Sequence, residues 1–277
     1  MSGPLVAVLQ FPGSNCEYET ARAARSQGLD ARVVRWNDRS AGIEACDAFI
    51  LPGGFSFQDR VRAGAVAAKE AVMDAVVRAA GAGKPVLGIC NGAQILVESG
   101  LVPGWSAGNV EAALAGNMSP GRSGYLSRWI YLLPGQEVAA RCPWLSLMEP
   151  GQVLPLPIAH AEGRFVFATG GASSRGPQVT ALRYCAPDGG DPGGFPWNPN
   201  GSCDDAAAIS NMEGNVLAMM PHPERAACLW QVPPSLCGPW GDRRRALSGP
   251  MEGTGPEGPG ATVFAGLANS FGVRVDR

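Results

Sequence analysis

Residues 86–96, VLGICNGAQIL, place a cysteine between an apolar run typical of a buried strand and a pattern typical of a helix. Gly88 and Gly92 lie two residues before and after Cys90, so the chain can bend sharply there without a side-chain clash. A thiol at the start of a helix lies near the positive end of the helix dipole, which favours the thiolate. The stretch predicts a reactive cysteine at a strand end, although a buried structural cysteine would give the same letters.

The segments around this turn alternate between strand-like and helix-like patterns. Four strands are predicted up to and including Cys90, at 5–9, 31–35, 47–51 and 85–90, and two helical segments lie between them, at 17–27 and 61–80. Such alternation predicts a doubly wound α/β sheet, whose ligands bind beyond the carboxyl ends of its strands.

A second group of strands follows, which makes a mixed sheet the expectation. These strands are predicted at 128–133, 164–168, 179–185, 206–210 and 215–220, with a final helix at about 262–270. The turn-rich stretch 186–202 predicts a surface loop, and the Pro/Gly-rich stretch 231–260 predicts a mobile segment. We expect one domain, residues 1–277.

Composition excludes several classes of function. The net charge is −2 and the pI about 5.8, which leaves no excess of cations for nucleic-acid binding. No apolar run approaches the roughly 20 residues that span a bilayer, and the first residues lack a basic region before the apolar run. We therefore expect a cytoplasmic protein without a membrane partner.

The cysteines and histidines argue against a metal site. Eight cysteines are scattered without a C-x-x-C pair, and only two histidines occur, so reduced thiols and no structural metal are expected. The Gly-Lys pair of AAGAGKPV lacks the first glycine and the hydroxyl residue of a phosphate loop. ATP chemistry on this chain is therefore not expected.

A candidate base for Cys90 lies in MMPHPER, residues 219–225, which follows a predicted strand. A cysteine nucleophile needs a histidine to carry its proton, and the histidine needs an acid that fixes its tautomer. His222 and Glu224 fit these roles, and the flanking prolines restrict their geometry. Cys16 is a competing candidate for the nucleophile, but it has no glycine bend. His160 fits two roles equally well: it lines the substrate or partner edge, or it is only structural.

An anion site is also required, because attack on a carbonyl builds negative charge on its oxygen. LPGGFS, residues 51–56, follows a predicted strand, so the amides of Gly53 and Gly54 could face the same edge of the sheet. The amide of Asn91, directly after the cysteine, is a second candidate donor. Without further context, Pro-Gly-Gly is more often a simple turn.

Taken together, these motifs resemble the triad (class I) glutamine amidotransferases, and within them the glutaminase subunits of phosphoribosylformylglycinamidine synthases. The narrower similarity is carried by segments that span most of residues 5–225: VAVLQFPGSNCEYE, LPGGFSFQDRVRAGAVAAK, GICNGAQIL, PIAHAEGRF, NPNGS and EGNVLAMMPHPER.

The resemblance implies a flavodoxin-like fold and a set of residue roles. Cys90 would be the nucleophile, His222 the base and acid, and Glu224 its orienting acid. Gly54 and Asn91 would form the oxyanion hole, and Gly53 and Gln94 would bind L-glutamine.

The resemblance also implies a division of labour. Ammonia from glutamine would pass to a separate synthetase subunit that binds ATP and magnesium and makes formylglycinamidine ribonucleotide in purine biosynthesis, possibly with a further small subunit. This chain would carry no cofactor of its own. Two other hypotheses stay open: a stand-alone cysteine hydrolase of the γ-glutamyl peptidase type, and a non-catalytic flavodoxin-like binding module.

Overall fold

The computed structural model describes residues 3–38, 42–121, 124–168, 172–247 and 255–273. The strands are β1 (Leu5–Gln10), β2 (Asp30–Arg35), β3 (Ala48–Leu51), β4 (Val86–Ile89), β5 (Ala112–Gly116), β6 (Leu126–Pro134), β7 (Leu154–His160), β8 (Glu162–Phe167), β9 (Thr180–Cys185), β10 (Ala206–Ser210) and β11 (Val216–Met219). The α-helices are α1 (Glu17–Arg25), α2 (Val72–Gly81), α3 (Asn91–Glu98), α4 (Gln136–Ala139), α5 (Ala172–Val179), α6 (Pro239–Ala246) and α7 (Ala261–Ser270).

Within the described ranges, nine strands form one mixed sheet in the order β2-β1-β3-β4-β11-β10-β9-β6-β7. The first five are parallel, and the others pair antiparallel. β5 and β8 form a separate antiparallel pair. This architecture confirms the predicted α/β class with a mixed central sheet.

The centre of the parallel half is buried on both faces, as continuous apolar strands require. Every residue of β3, β4 and β11 is buried, and the adjacent helices α1, α2, α3 and α7 supply mainly alanines and aliphatic side chains to one core. The carboxyl ends of β4 and β11 therefore meet at one edge, which brings Cys90 and His222 to the same place.

The antiparallel half folds back onto this edge. β7 is the last strand of the sheet, yet the carbonyl of Pro157 accepts a 2.8 Å hydrogen bond from the amide of His222, just after β11. Prolines 155 and 157 fit here because an edge strand does not need all of its amides. These prolines also hide β7 in the sequence, since proline counts against a strand.

The predicted helix over 61–80 is wrong in its first half. The α-helix begins only at Val72, and the preceding chain is a loop with a short 3₁₀ turn at Ala67–Lys69. Gly64 has φ +79, and a Cβ there would lie 2.6 Å from the carbonyl carbon of Gln94. The apolar residues of this segment therefore pack onto α3 as a loop.

The two turn-rich stretches are more ordered than predicted. In the expected surface loop 186–202, Asn200 is fully buried and donates to the carbonyl of Gly163 at 2.8 Å. In the expected mobile segment 231–260, α6 forms, and Val232 and Leu236 are buried against β6 and β9. Residues 248–254 of that segment lie outside the described residues.

No helix among the described residues is long and apolar enough to cross a membrane. The assignment of residues 1–277 to one domain stays a prediction.

Gly92 controls how closely α3 approaches the sheet. A Cβ at this position would lie 1.9 Å from the carbonyl oxygen of Leu51, whereas a Cβ at Gly81 meets nothing within 4 Å. We predict that Gly92→Ala lowers the free energy of unfolding by about 3 kcal/mol or more, while Gly81→Ala, near the end of α2, changes it by at most about 1 kcal/mol. Urea unfolding followed by tryptophan fluorescence measures both; equal midpoints would contradict the close approach.

Candidate active site

Cys90 occupies a strained turn between β4 and α3. Its φ is 51° and its ψ −105°, a conformation that non-glycine residues rarely adopt. Its amide donates to the Met219 carbonyl at 2.7 Å, and its carbonyl accepts from the Gln94 amide at 3.1 Å. A Cβ at Gly88 would lie 2.5 Å from the carbonyl oxygen of Gly92. The two flanking glycines are therefore needed for the turn, as the sequence predicted.

The Cys90 thiol faces a cavity at the carboxyl edge of the sheet. The side chain is 6% exposed, and it lines a cavity of ≈ 110 Å³ together with Gly54, Gln94, His160 and His222. Sγ lies 3.6 Å from the carbonyl oxygen of Ala159. The thiol is thus sheltered but reachable by a small molecule.

His222 and Glu224 form a buried pair beside this cavity. Nδ1 of His222 lies 2.6 Å from Oε1 of Glu224, and the two residues are 2% and 1% exposed. Burial by itself lowers the pKa of His222, but the charges of Glu224 and Cys90 outweigh it and raise that pKa well above its usual range. In the described part of the chain Nε2 has no hydrogen-bond partner. The pair can hold a proton next to Cys90.

Cys16 is a second thiol near the same imidazole. It is completely buried, and burial raises its pKa. Arg225 donates to its Sγ at 3.0 Å, and Cys16 donates to the Asn15 side-chain oxygen at 3.1 Å. Unlike Cys90, it does not line the cavity. Cys16 therefore contacts Arg225 outside the cavity lining and is placed for a structural role.

Cys16, His222 and Glu224 have the spacing of metal ligands, since their ligand atoms lie within 4.8 Å of one another. The guanidinium of Arg225 contacts the thiol at 3.0 Å, and its positive charge opposes a cation there. The expectation of no metal stays a prediction.

Of the two proposed oxyanion donors, Gly54 lines the cavity that holds Cys90, and Asn91 follows Cys90 directly in the chain. Gly54 has φ +147, and a Cβ there would lie 2.7 Å from Cα of Ser14. An isolated bridge joins Gly54 to Ser14 through the amides of Phe55 and Asn15, so the amide of Gly54 takes no part in it. Gly54 therefore has an amide at the cavity wall that this bridge does not use.

Asn91 and Gln94 fix the start of α3 by their side chains. The Asn91 side chain accepts from the Ser56 amide at 3.0 Å and donates to the Gln94 side-chain oxygen at 2.9 Å. Gln94 donates to the carbonyl of Glu162 at 2.7 Å and lines the cavity. Gly53 packs against the His222 ring, since a Cβ there would be 2.8 Å from Cε1 of His222. Its predicted contact with substrate stays a prediction.

His160 is held in one tautomer. Its Nδ1 lies 3.1 Å from the side-chain oxygen of Asn117, which also accepts from the amide of Gly163 at 3.3 Å. The Asn117 nitrogen donates to the carbonyls of Gly124 and His160, so its oxygen faces Nδ1 and Nδ1 carries the proton. Burial, followed by the charge of His222, lowers the pKa of His160 to about 3. The ring is neutral and its Nε2 is an acceptor.

Among the described residues, four ionisable side chains that were not predicted for the site also line the cavity: Asp59, Tyr125, Glu162 and Arg225. Glu162 and Arg225 lie within two residues of His160 and Glu224, so proximity in sequence was an available signal for them. Asn117 gave no signal, because its contact with His160 spans 43 residues.

Comparison with known proteins identifies the family. The sequence profile of the CobB/CobQ-like glutamine amidotransferase domain matches residues 3–245. The "Phosphoribosylformylglycinamidine synthase subunit PurQ" of Methanothrix thermoacetophila is 47% identical over 235 residues, which are 82% of this chain and 88% of that protein. The protein of the same name from Pyrococcus furiosus is 40% identical over 221 residues, 80% of this chain and 88% of that one. The chain belongs to the PurQ family of glutamine amidotransferases.

Solved structures agree with this PurQ assignment. A chain of "Structure of PurLQS from Thermotoga maritima" matches with a TM-score of 0.70 and 29% identity over 97% of this chain and 99% of that chain. A Thermoplasma acidophilum protein described as a GMP synthase component matches with a TM-score of 0.51 at 12% identity over 98% of this chain and 96% of that chain, which bears on the fold alone. The expected class I glutamine amidotransferase fold is confirmed.

The two histidines of this PurQ-family chain are predicted to titrate in opposite directions. His160 stays neutral down to about pH 3 to 4, because its pKa is lowered to about 3, whereas His222 keeps its proton above pH 6.5. Imidazole ¹⁵N NMR against pH resolves both rings, and His160→Gln assigns the signals. A His160 signal that titrates near pH 6.5 would contradict the buried, Asn117-bound tautomer.

The same shifts give a pH dependence of stability with opposite signs. Since the pKa of His160 is lower in the folded state than in the unfolded state, this residue reduces the free energy of unfolding only as pH falls below the unfolded pKa of about 6.5. The folded pKa of His222 is raised, so its stabilisation is complete below that value and is lost as pH rises through the folded pKa.

Proposed function

We propose that this chain is the glutaminase subunit of phosphoribosylformylglycinamidine synthase. It hydrolyses L-glutamine to glutamate and ammonia and supplies the ammonia to a synthetase subunit. The observation that carries this proposal is the meeting of a cysteine on a strained strand-to-helix turn with a buried His222–Glu224 pair at one cavity. The 47% identity to a PurQ protein supports the same conclusion.

Thioester formation begins with the Cys90 thiolate. Its sulfur attacks the γ-carboxamide carbon of glutamine, and the carbonyl π electrons move to the oxygen. The amides of Gly54 and Asn91 donate to this oxyanion. His222 gives the proton on Nε2 to the amide nitrogen, the C–N bond breaks, and ammonia leaves behind a γ-glutamyl thioester.

Hydrolysis of the thioester uses His222 in the opposite sense. Its neutral Nε2 takes a proton from water, the water oxygen bonds to the thioester carbon, and the C–S bond breaks to restore the thiolate. Glutamate then leaves. Glu224 accepts from Nδ1–H in both steps, so it holds the ring in one tautomer and stabilises the imidazolium.

The partner follows from the family. The similarity of this chain to a chain of "Structure of PurLQS from Thermotoga maritima" supports a complex in which the cavity edge of this chain docks on a synthetase subunit. A further small subunit is also part of the proposal. ATP and magnesium would act on the synthetase, which converts formylglycinamide ribonucleotide to formylglycinamidine ribonucleotide. This chain would need no cofactor and would work in the cytoplasm.

Cys90→Ala tests the nucleophile. In the complex reconstituted with the synthetase, we predict that glutamine-dependent product formation falls to background, because no other thiol among the described residues lines the cavity, while synthesis from added ammonium salts is unchanged. Cys203→Ala, at an exposed thiol, is the matched control. Loss of both activities in Cys90→Ala would instead indicate a structural role for Cys90. Strong glutamine hydrolysis by the free chain would favour a stand-alone hydrolase.

Glu224→Gln tests the orienting acid. The amide keeps the shape but removes the charge that raises the pKa of His222, so we predict that kcat for glutamine falls by about 10²- to 10⁴-fold with little change in ammonium-dependent synthesis. Because the pKa of His222 would be lower without this charge, the rate of the variant should change with pH at a lower pH than the rate of wild type does. A loss of less than threefold would show that Glu224 only completes the fold.

A further inference from the structure

The PEGPG segment, residues 256–260, lies against the turn that carries Glu224. Three main-chain hydrogen bonds, each 2.8 Å long, join the two; with the donor first, they run from Gly260 to Ala226, from Gly258 to Ala227 and from Leu229 to Pro256. The segment comes after residue 245, where the match to the family profile ends. It therefore forms part of the surroundings of Glu224 although it is about 30 residues away in the chain.

The two glycines of this segment allow a close approach rather than an unusual backbone conformation. Gly260 has φ −69° and ψ −21°, which any residue can adopt. A Cβ there would nevertheless lie 2.0 Å from the carbonyl oxygen of Pro223, and a Cβ at Gly258 would lie 2.3 Å from the carbonyl oxygen of Ala226. Both contacts are with backbone atoms, which cannot swing aside as a flexible side chain can. The segment therefore fixes the backbone on both sides of Glu224.

The PEGPG segment is itself held at two places. Gly260 directly precedes α7, most of whose residues are buried in the core. Nearer its start, the side chain of Glu257 accepts a 2.8 Å hydrogen bond from the side chain of Gln27, which is 1% exposed. A close-packed helix and a buried amide leave the segment little freedom to move. A side chain added at Gly260 would therefore displace the turn at 223–226 more readily than the segment.

The carboxylate of Glu224 has few contacts of its own that fix its direction. Its Oε1 lies 2.6 Å from Nδ1 of His222, whereas the buried Oε2 has no hydrogen-bond partner among the described residues. Arg225 approaches Oε1 only to 3.8 Å. Since a side chain occupies one of a few rotamers, the direction of this carboxylate follows from the position of its backbone. That backbone is held by the Gln231 side chain, which donates to the Glu224 carbonyl at 3.2 Å, and by the PEGPG segment on either side.

We propose that the PEGPG segment positions the orienting acid of the active site, and that the missing side chain of Gly260 sets the place of Glu224. This inference rests on the proposed function, in which Glu224 orients the imidazole of His222. Gly260 does not line the active-site cavity; it acts through the backbone of Pro223. Its effect should therefore appear in the proton-transfer steps rather than in substrate binding.

Gly260→Ala tests this role in the complex reconstituted with the synthetase. We expect kcat for glutamine to fall by about ten- to a hundred-fold, because a displacement of Glu224 by about 1 Å misaligns the imidazole. The KM for glutamine should change by less than about threefold, and synthesis from added ammonium salts should match wild type. Gly81→Ala, where an added Cβ meets nothing within 4 Å, is the matched control and should equal wild type in all three measurements.

The titration of His222 separates a positioning role from a merely structural one. Burial lowers the pKa of His222 and the charge of Glu224 raises it, so a carboxylate moved away from Nδ1 should lower that pKa below the wild-type value. Imidazole ¹⁵N NMR of the free full-length chain measures this shift. The other titratable groups that act on the ring belong to other segments: Cys16, Cys90 and His160. A lower kcat with an unchanged pKa of His222 would overturn the positioning role.

Glu257 provides a second test, which does not depend on whether Gly260→Ala folds. Glu257→Ala removes the acceptor for the buried Gln27 side chain, so we expect kcat for glutamine to fall about three- to tenfold with little change in KM. Glu257→Gln keeps an acceptor and should restore most of kcat. Because Glu257→Gln also lacks the charge, the comparison isolates the hydrogen bond.

Unchanged variants in an active complex would overturn this inference alone. If Gly260→Ala folds and keeps the wild-type kcat and the wild-type pKa of His222, the PEGPG segment does not position Glu224. If Gly260→Ala does not fold, a wild-type kcat in Glu257→Ala, or equal losses in both Glu257 variants, overturns the proposal, and a loss that Glu257→Gln restores supports it. A wild-type complex that makes no product from glutamine would overturn the proposed function, and this inference with it.

Discussion

The contact between α3 and the end of β3 is the constraint on which the site depends. Gly92 lies so close to the carbonyl of Leu51 that no side chain fits between them. This approach forces the chain to turn within one residue after β4, and Cys90 takes the positive φ that the turn requires. Backbone strain of this kind costs about 1–3 kcal/mol and persists only where the surrounding structure imposes it. Here the fully buried parallel strands impose it.

The same parallel strands explain why distant residues meet. β4 and β11 are neighbours with matched register, Ile89 beside Met219, so the residues that follow them leave the sheet at one edge. Cys90 follows one strand directly, and His222 follows the other by three residues. The amide bond from Cys90 to Met219 and that from His222 to Pro157 then fix both backbones. Convergence of the thiol and the imidazole is a consequence of strand order.

Local patterns were sufficient to predict the strands of the parallel half and the motif residues at their ends. Apolar runs bounded by glycine and proline mark β1, β3 and β4 in the sequence, and Gly88 and Gly92 mark the turn. The strands β5 and β7 could not be predicted in this way. β5 is short and its partner β8 is about 50 residues away, while the prolines of β7 are tolerated only because that strand lies at the sheet edge.

The lining of the cavity shows a second limit of sequence reasoning. Glu162 lines the cavity together with Asp59, which lies about 100 residues earlier in the chain, so the fold and not the spacing in the sequence groups these two carboxylates. Asn117 decides the tautomer of His160, and the buried Asn200 ties the NPNGS segment to Gly163 in the same turn. A buried polar network is favourable only when its members are satisfied. Asn117 engages Nδ1 of the His160 ring as well as the carbonyl of the same residue, so the ring cannot flip without losing its contact with the Asn117 oxygen.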